Sequence, residues 1–263
     1  IDDLRSLINI NSVCEKDFSG AYPFGEGVHM ALKKALEICK NYGFETKNCE
    51  NMIGYAEVGS GETLMGILVH LDVVPAGNGW DSDPFSLEIR DGKIYGRGVT
   101  DDKGPAIAVI HAMKELLEEG VAFNKRVRII FGQAEETGEW EDMEYYKKNE
   151  EVVDFGFTPD ADFPAIYGEK GIAHLKITFK KSDTCFDTIS GGTAINMVPD
   201  SCTASYSVNG ETKTLSVRGK AAHGSTPEDG ENAISKLMSE LNNDASDCRL
   251  VKFFREFIKL EYN

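Results

Sequence analysis

Two short runs dominated by apolar residues, 64–69 (LMGILV) and 127–131 (VRIIF), constrain the fold more than any other feature of the chain. Each has the length of a strand rather than a helix. A continuous apolar run without alternation is what a strand covered on both faces requires. The first run ends on His70-Leu71-Asp72 and the second leads into Glu135-Glu136. A third cluster, Asp101-Asp102, closes the string GRGVTDD. In open α/β sheets the loops at the carboxyl ends of the strands converge on one crevice. An imidazole and a surplus of carboxylates in such a crevice demand cations, and this pattern reads as a metal-dependent hydrolase.

The intervening segments supply the helices. Residues 1–10 and 28–42 have helical spacing; in the second, Leu32, Leu36 and Cys39 form a stripe that Gly43 terminates. Pro105 opens a further helix with Val109, Ile110, Met113, Leu116 and Leu117 on one face, ended by Gly120. Strand, helix and strand in that order predict an α/β fold with a mostly parallel sheet. Near residue 172 the pattern changes. Ala173, Leu175, Ile177 and Phe179 alternate with polar residues, as do Cys202, Ala204, Tyr206 and Val208, and Asn209-Gly210 is a hairpin turn signal. A helix is expected between Gly230 and Leu241. The spacing therefore predicts an α/β domain over residues 1–179 and a second, smaller α+β domain over 180–263.

A net charge of −16 repels phosphate backbones and anionic lipid surfaces, which argues against nucleic acid or membrane partners. No apolar run approaches the ~20 residues that span a bilayer. Cys14, Cys39, Cys49, Cys185, Cys202 and Cys248 are scattered without a C-x-x-C pair, which supports neither a zinc ribbon nor a thioredoxin-type motif and favours free thiols in the cytoplasm. The sequence begins at Ile1 rather than Met, which leaves its natural start and any removed leader open.

His70 and Asp72, two apart on an extended segment, share a face. A ligating imidazole needs its far nitrogen held, and Asp72 is the candidate to hold it. Asp101-Asp102 offers either an N-cap for the helix at Pro105 or metal ligands, and the two carboxylates can divide these roles. Glu135-Glu136 is followed by Glu139, Glu141 and Asp142, so a solvated acidic loop is the plain alternative. Beside a metal, one glutamate ligates and the other takes a proton from water. His29, His111 and His174 read as structural or solvated. His223 lies in GKAAHGSTPEDG, on a loop of the kind where functional groups collect.

The motifs HLDVVPAG, GRGVTDDKG, AEETG and GKAAHGSTPEDG together resemble the dinuclear zinc peptidase family of carboxypeptidase G, aminoacylase and carnosinase. The stretches GWDSDPFSLEIRDGKIYGRG and FTPDADFPAIYGEKG are most similar to the PepV-type bacterial dipeptidases within it. The resemblance, over about residues 5–240, implies a catalytic domain with a lid. It also implies two divalent ions, zinc first and manganese second, and hydrolysis of dipeptides with a free amino terminus by a monomer or homodimer. It implies His70, Asp101, Glu136 and Asp160 as metal ligands, with Asp101 bridging and the Asp101-Asp102 peptide bond cis. Glu135 becomes the general base, Asp72 the orienter of His70, and Asn196 and His223 substrate-binding residues of the lid. The family's further ligand histidine would fall beyond residue 263, so the chain is expected to be part of a longer protein. An N-acyl amino acid or N-succinyl-diaminopimelate deacylase, and a metal-binding module without catalysis, remain as alternatives.

Overall fold

A five-stranded sheet organises the first of two units, Ile1–Ile166, in the computed structural model. All residues are described except 78, 162–163, 169, 209, 242–244, 246–247 and 259–263. In chain order the first unit contains α1 (Asp2–Ile8), α2 (Glu26–Asn41), β1 (Glu45–Cys49), β2 (Ile53–Val58) and β3 (Leu64–His70). The hairpin β4 (Glu88–Arg90) and β5 (Lys93–Tyr95) follows, then α3 (Lys103–Glu118), β6 (Arg126–Gly132), α4 (Glu141–Asn149) and β7 (Phe155–Phe157). The strand order is β1-β2-β6-β3-β7. Strands β6, β3 and β7 run parallel, while β2 pairs antiparallel with both β6 and β1.

The period-2 geometry of a strand decides which residues meet which layer. Val127, Ile129 and Phe131 of β6 join Ile67 and Val69 of β3 in the main core, against Leu7 and Ile8 of α1, Leu32 of α2 and Ile110 of α3. On the opposite face Ile130 packs with Ile53, Cys49 and Tyr146 of α4. β3 is therefore covered on both sides, as its unbroken apolar run requires. Arg128, the charge inside the second run, is 4% exposed. It is paired with Glu57 at 2.7 Å and donates to the Tyr146 hydroxyl at 2.8 Å, the kind of pairing that a buried guanidinium needs. Gly43, with φ +85°, follows α2 in the left-handed conformation expected of a helix stop.

The second unit, Tyr167–Asn263, holds β8 (Phe186–Gly191), β9 (Ser201–Val208), β10 (Glu211–Arg218), α5 (Ala233–Glu240) and α6 (Arg249–Phe253). The strands form an antiparallel sheet in the order β10-β9-β8. Cys202, Ala204 and Tyr206 face a core shared with Leu237 and Met238 of α5. Asn232 caps α5, its Oδ1 accepting from Ile234 N at 2.9 Å and Ser235 N at 3.1 Å. The turn expected at Asn209-Gly210 includes Asn209, which lies outside the described residues.

The alternation over 173–179 does not produce a strand. Residues 171–180 have no regular structure, and Ile172, Leu175 and Ile177 are exposed. Alternation marks the two faces of a strand but supplies no partner, and among the described residues none pairs with this segment. The division between units accordingly falls at Ile166/Tyr167, before that segment, rather than at 179/180. No helix of the described residues is long and apolar enough to cross a membrane.

Ile110, wholly buried in α3 at the centre of the main core, tests the packing. Ile110→Ala is expected to lower unfolding stability by about 2–5 kcal/mol through lost transfer energy and the cavity left behind, read as a reduced urea midpoint.

Candidate metal centre

The carboxyl ends of β3, β6 and β7 lie on one edge of the sheet because the three strands are parallel; His70 ends β3, Glu135-Glu136 follow β6 and Asp160 follows β7, while Asp101-Asp102 comes after the β4-β5 hairpin and leads into α3. His70, 3% exposed, is the last residue of β3. Its Nδ1 stands 3.0 Å from the Asp72 main-chain carbonyl and 3.4 Å from Asp72 Oδ1. The nearer holder of the ring is thus the backbone carbonyl of Asp72. Nε2 points the other way, 2.9 Å from Asp101 Oδ1, 3.5 Å from Asp160 Oδ2 and 3.8 Å from Glu135 Oε2.

The Asp72 carboxylate, wholly buried, joins β3 to the next loop. Its Oδ1 accepts from Glu135 N at 3.2 Å and its Oδ2 from Glu136 N at 3.1 Å. Glu135 and Glu136 open a single 3₁₀ turn, Glu135–Thr137. Asp142 fixes the approach to that turn, accepting from Gln133 N at 2.6 Å and Ala134 N at 3.2 Å. Its position in an acidic run suggests solvent exposure, yet it is 1% exposed. The cause is these two amide donors together with Met143 N at 2.8 Å.

Asp101 and Asp102 are joined by a cis peptide bond. Asp102 occupies the N-cap position of α3, but its side chain makes no cap hydrogen bond there. Its Oδ2 accepts instead from the His70 backbone N at 3.0 Å, so the carboxylate ties the end of β3 to the start of α3. Asp102 Oδ1 is buried without a hydrogen-bond partner. Next to it Lys103 is also wholly buried, its Nζ donating to the carbonyls of Leu7 at 2.9 Å and Ile10 at 2.8 Å. Sequence reasoning passed over Lys103, whose partners Leu7 and Ile10 lie at the other end of the unit's sequence, and read Asp142 as part of a solvated acidic run. The one local hint is a lysine at the very start of an amphipathic helix, a place that normally favours acids.

Burial and mutual repulsion set the charges of this crevice. Burial opposes the His70 imidazolium, but hydrogen bonds to Asp101, Asp160 and Asp72 outweigh it and raise the ring's pKa far above the usual histidine range. Burial pushes Asp102 up to about 7 despite the His70 amide, and pushes Glu136 up to about 7 with help from the Asp101 charge. Glu135 is raised by burial in the same way, against the opposing pull of His70. Burial lowers Lys103 to about 7.

Two sets of potential ligand atoms lie within 4.8 Å of one another: His70, Asp101 and Glu136, and His70, Asp102 and Asp160. One imidazole with carboxylate oxygens is a donor set suited to borderline-hard divalent ions. The unpartnered Asp102 oxygen and the protons that this cluster must otherwise hold fit the same requirement. Asp160, from the loop after β7, is thereby brought to His70 although the residues lie 90 positions apart in the sequence.

Asn196 and His223 belong to the second unit, where the structure brings their backbones together. Met197 and His223 form an antiparallel bridge, and Gly224 N donates to Asn196 O at 2.7 Å. The Ser225 backbone N donates to His223 Nδ1 at 3.2 Å, and Ser225 Oγ lies 2.6 Å from the same nitrogen. An Nδ1 that accepts these bonds leaves the proton of the neutral ring on Nε2. His29 stacks on Tyr22 with ring centroids 4.1 Å apart, and His111 pairs with Asp3 at 2.9 Å, which are structural roles.

A family profile described as Peptidase family M20/M25/M40 matches residues 66–258. The putative dipeptidase YtjP of Bacillus subtilis (strain 168) is 44% identical over 211 residues, covering 78% of this chain and 45% of that protein. The Beta-Ala-Xaa dipeptidase of Lactobacillus delbrueckii subsp. lactis is 35% identical over 295 aligned positions, covering 100% of this chain and 62% of that protein. The chain therefore spans about half to two thirds of the length of these relatives. Among solved structures, the di-peptidase Dug1p from Saccharomyces cerevisiae superposes with a TM-score of 0.51 at 26% identity, over 60% of this chain and 37% of that one. Human carnosine dipeptidase 1 shares the fold with a TM-score of 0.50 at 24% identity, over 61% of this chain and 38% of that one. With the profile spanning most of its length, the chain belongs to peptidase family M20/M25/M40.

Proposed function

We propose that this chain carries the catalytic unit and part of the lid of a metal-dependent dipeptidase that hydrolyses dipeptides with a free amino terminus. The observation that carries this reading is a division of labour between neighbours. Glu136 belongs to a ligand set with His70 and Asp101, whereas Glu135 stands 3.8 Å from His70 Nε2 and belongs to neither set. A carboxylate held at the centre without ligating is placed to move a proton. Its raised pKa suits that work, because a base needs a pKa near the working pH.

His70, Asp101, Glu136 and Asp160 would hold two divalent ions, zinc by preference and manganese as the alternative. Bound divalent ions supply positive charge that polarises the scissile carbonyl and lowers the pKa of an attacking water. Glu135 takes the proton of that water at a carboxylate oxygen and later delivers it to the leaving amine. Asp72 keeps Glu135 and Glu136 in place through their amides and the His70 ring through Nδ1. In the second unit, His223, whose neutral ring has its donor at Nε2, and Asn196 are assigned to substrate binding. The six cysteines are free, which accords with a cytoplasmic protein.

In the intact protein, Glu135→Gln should keep metal affinity within about threefold of wild type and reduce turnover by roughly 10²–10⁴-fold. Wild-type turnover in that variant would remove Glu135 from the mechanism. A substrate panel decides the chemistry: hydrolysis of dipeptides is expected. Activity confined to N-acyl amino acids would establish the deacylase instead, and metal binding without either activity would establish a non-catalytic module.

Metal loading should also release protons. At pH 7 the metal-free centre holds a proton on His70 and part of one on Glu136, since both pKa values are raised. Ligation requires both groups deprotonated. Calorimetric titration with zinc in buffers of different ionisation enthalpy should report roughly one or more protons released per chain at pH 7. Affinity should weaken as pH falls through 7, and a heat independent of buffer would contradict this charge assignment.

A further inference from the structure

The first thirteen residues contain no group that the centre uses as a ligand or base, yet they touch both of the loops that supply His70 and Asp101. Lys103 Nζ donates to Leu7 O and Ile10 O, the first near the carboxyl end of α1 and the second just beyond it. Ser12, wholly buried, donates from its Oγ to Leu71 O at 2.7 Å. The Ser12 carbonyl accepts from Val73 N at 3.1 Å, and Val13 bridges Val73 in parallel. Leu71 and Val73 flank Asp72, and Lys103 follows Asp101-Asp102 directly. The lysine stem fits against the loop it serves: a Cβ on Gly98 would lie 3.1 Å from Lys103 Cδ and 3.1 Å from Val73 Cγ1. On Gly104 a Cβ would meet Val99 O at 1.9 Å, so this turn tolerates no side chain.

We propose that Lys103 is a positioning residue of the metal centre. Its Nζ clamps the Asp101-Asp102 loop to residues 7–12, and the same segment, through Ser12, holds the His70–Asp72 loop. The N-terminal segment is then a shared brace that sets the separation of His70 and Asp101. A lysine is suited to this post because its Nζ carries more than one N–H and so reaches both carbonyls at once, Leu7 O accepting from Ile10 N as well at 3.1 Å. The negative end of α1 favours a cation at that place. Buried alone, the ammonium would be costly, so its two carbonyl bonds must be kept for it to stay there.

This inference rests on the metal-centre reading, and the test separates the two. Wild type, Lys103→Met, Ser12→Ala and Ile110→Ala are compared in the metal-free protein by thermal unfolding, by zinc affinity, and by the visible spectrum of the cobalt(II) form. Ile110 lies in the same helix and core but touches neither loop through a hydrogen bond, so Ile110→Ala reports what plain destabilisation does to metal binding. Lys103→Met should lose about 10–100-fold in zinc affinity, the range for residues that orient ligands, and should alter the cobalt(II) spectrum. Ile110→Ala should bind zinc within about threefold of wild type with an unchanged spectrum. Ser12→Ala, which removes a single hydrogen bond, should fall between them, and it carries the test if Lys103→Met does not fold. Zinc affinity and spectrum in Lys103→Met that match wild type, or that change no more than in Ile110→Ala, overturn the brace. So does wild-type behaviour of Ser12→Ala where it is the only variant that folds. If wild type takes up no zinc or cobalt, the metal-centre reading fails, and the brace with it.

Discussion

The buried carboxylate of Asp72 is the interaction on which the rest of the centre depends. Both oxygens are spent on consecutive backbone amides of the loop after β6, and the group also stands beside His70 Nδ1 at the end of β3. Hydrogen bonds to an ionised acceptor are about twice as strong as neutral ones, and removing such a partner strands a charge in the interior. The tie is therefore stiff. It converts the parallel pairing of β3 and β6 into a fixed relation between an imidazole and two glutamates, which strand pairing alone would leave to flexible loops. Asp102 repeats the device at the His70 amide, and Asp142 repeats it at Gln133 and Ala134. Three buried carboxylates thus act on backbone rather than on substrate.

The density of acid is what turns this scaffold toward cations. Two unit charges 4 Å apart interact by about 4 kcal/mol at an effective dielectric of ~20. Asp101, Asp160 and Glu135 all lie within 3.8 Å of one imidazole nitrogen. Such a group cannot remain fully ionised without compensation, and protons or metal ions are the available forms of it. The raised pKa values of His70, Glu136 and Asp102 describe the proton-compensated state of a cluster whose donor atoms suit divalent ions.

Much of the first unit was readable from the sequence because its signals are local. The unbroken run of β3 reports two-sided cover, the stripe of α2 reports one buried face, and Gly43 reports a stop. The clusters at 70–72 and 135–136 reach one edge because the parallel strands β3 and β6 carry their following loops to the same side, whereas 101–102 follows the separate β4-β5 hairpin and leads into α3. Their individual roles came from the family resemblance rather than from spacing. What escaped local reading is what distant partners decide. Asp102 has the chemistry of a helix cap, yet an amide 32 residues away takes its carboxylate. Lys103 is buried because carbonyls of residues 7 and 10 meet it. Over 173–179 the failure runs the other way: a sound strand pattern has no partner among the described residues, and exposed backbone is the result.

The geometry of the short turn at Glu135 explains how adjacent glutamates can serve different ends. A 3₁₀ turn has three residues per revolution, so successive side chains leave the backbone about 120° apart. On a strand they would point to opposite faces, and only one could enter the crevice. On the turn, with both amides held by Asp72, one side chain enters a ligand set with His70 and Asp101 while its neighbour stays near the imidazole outside it. The parts so held come from residues 7–13, 70–73, 101–104, 133–142 and 160, which no local segment brings together. Closing loops of that length is favourable only once β6, β3 and β7 have paired. Ligands that bind only the assembled form will consequently stabilise it by RT ln(1 + [L]/Kd), a gain that rises with the logarithm of their concentration.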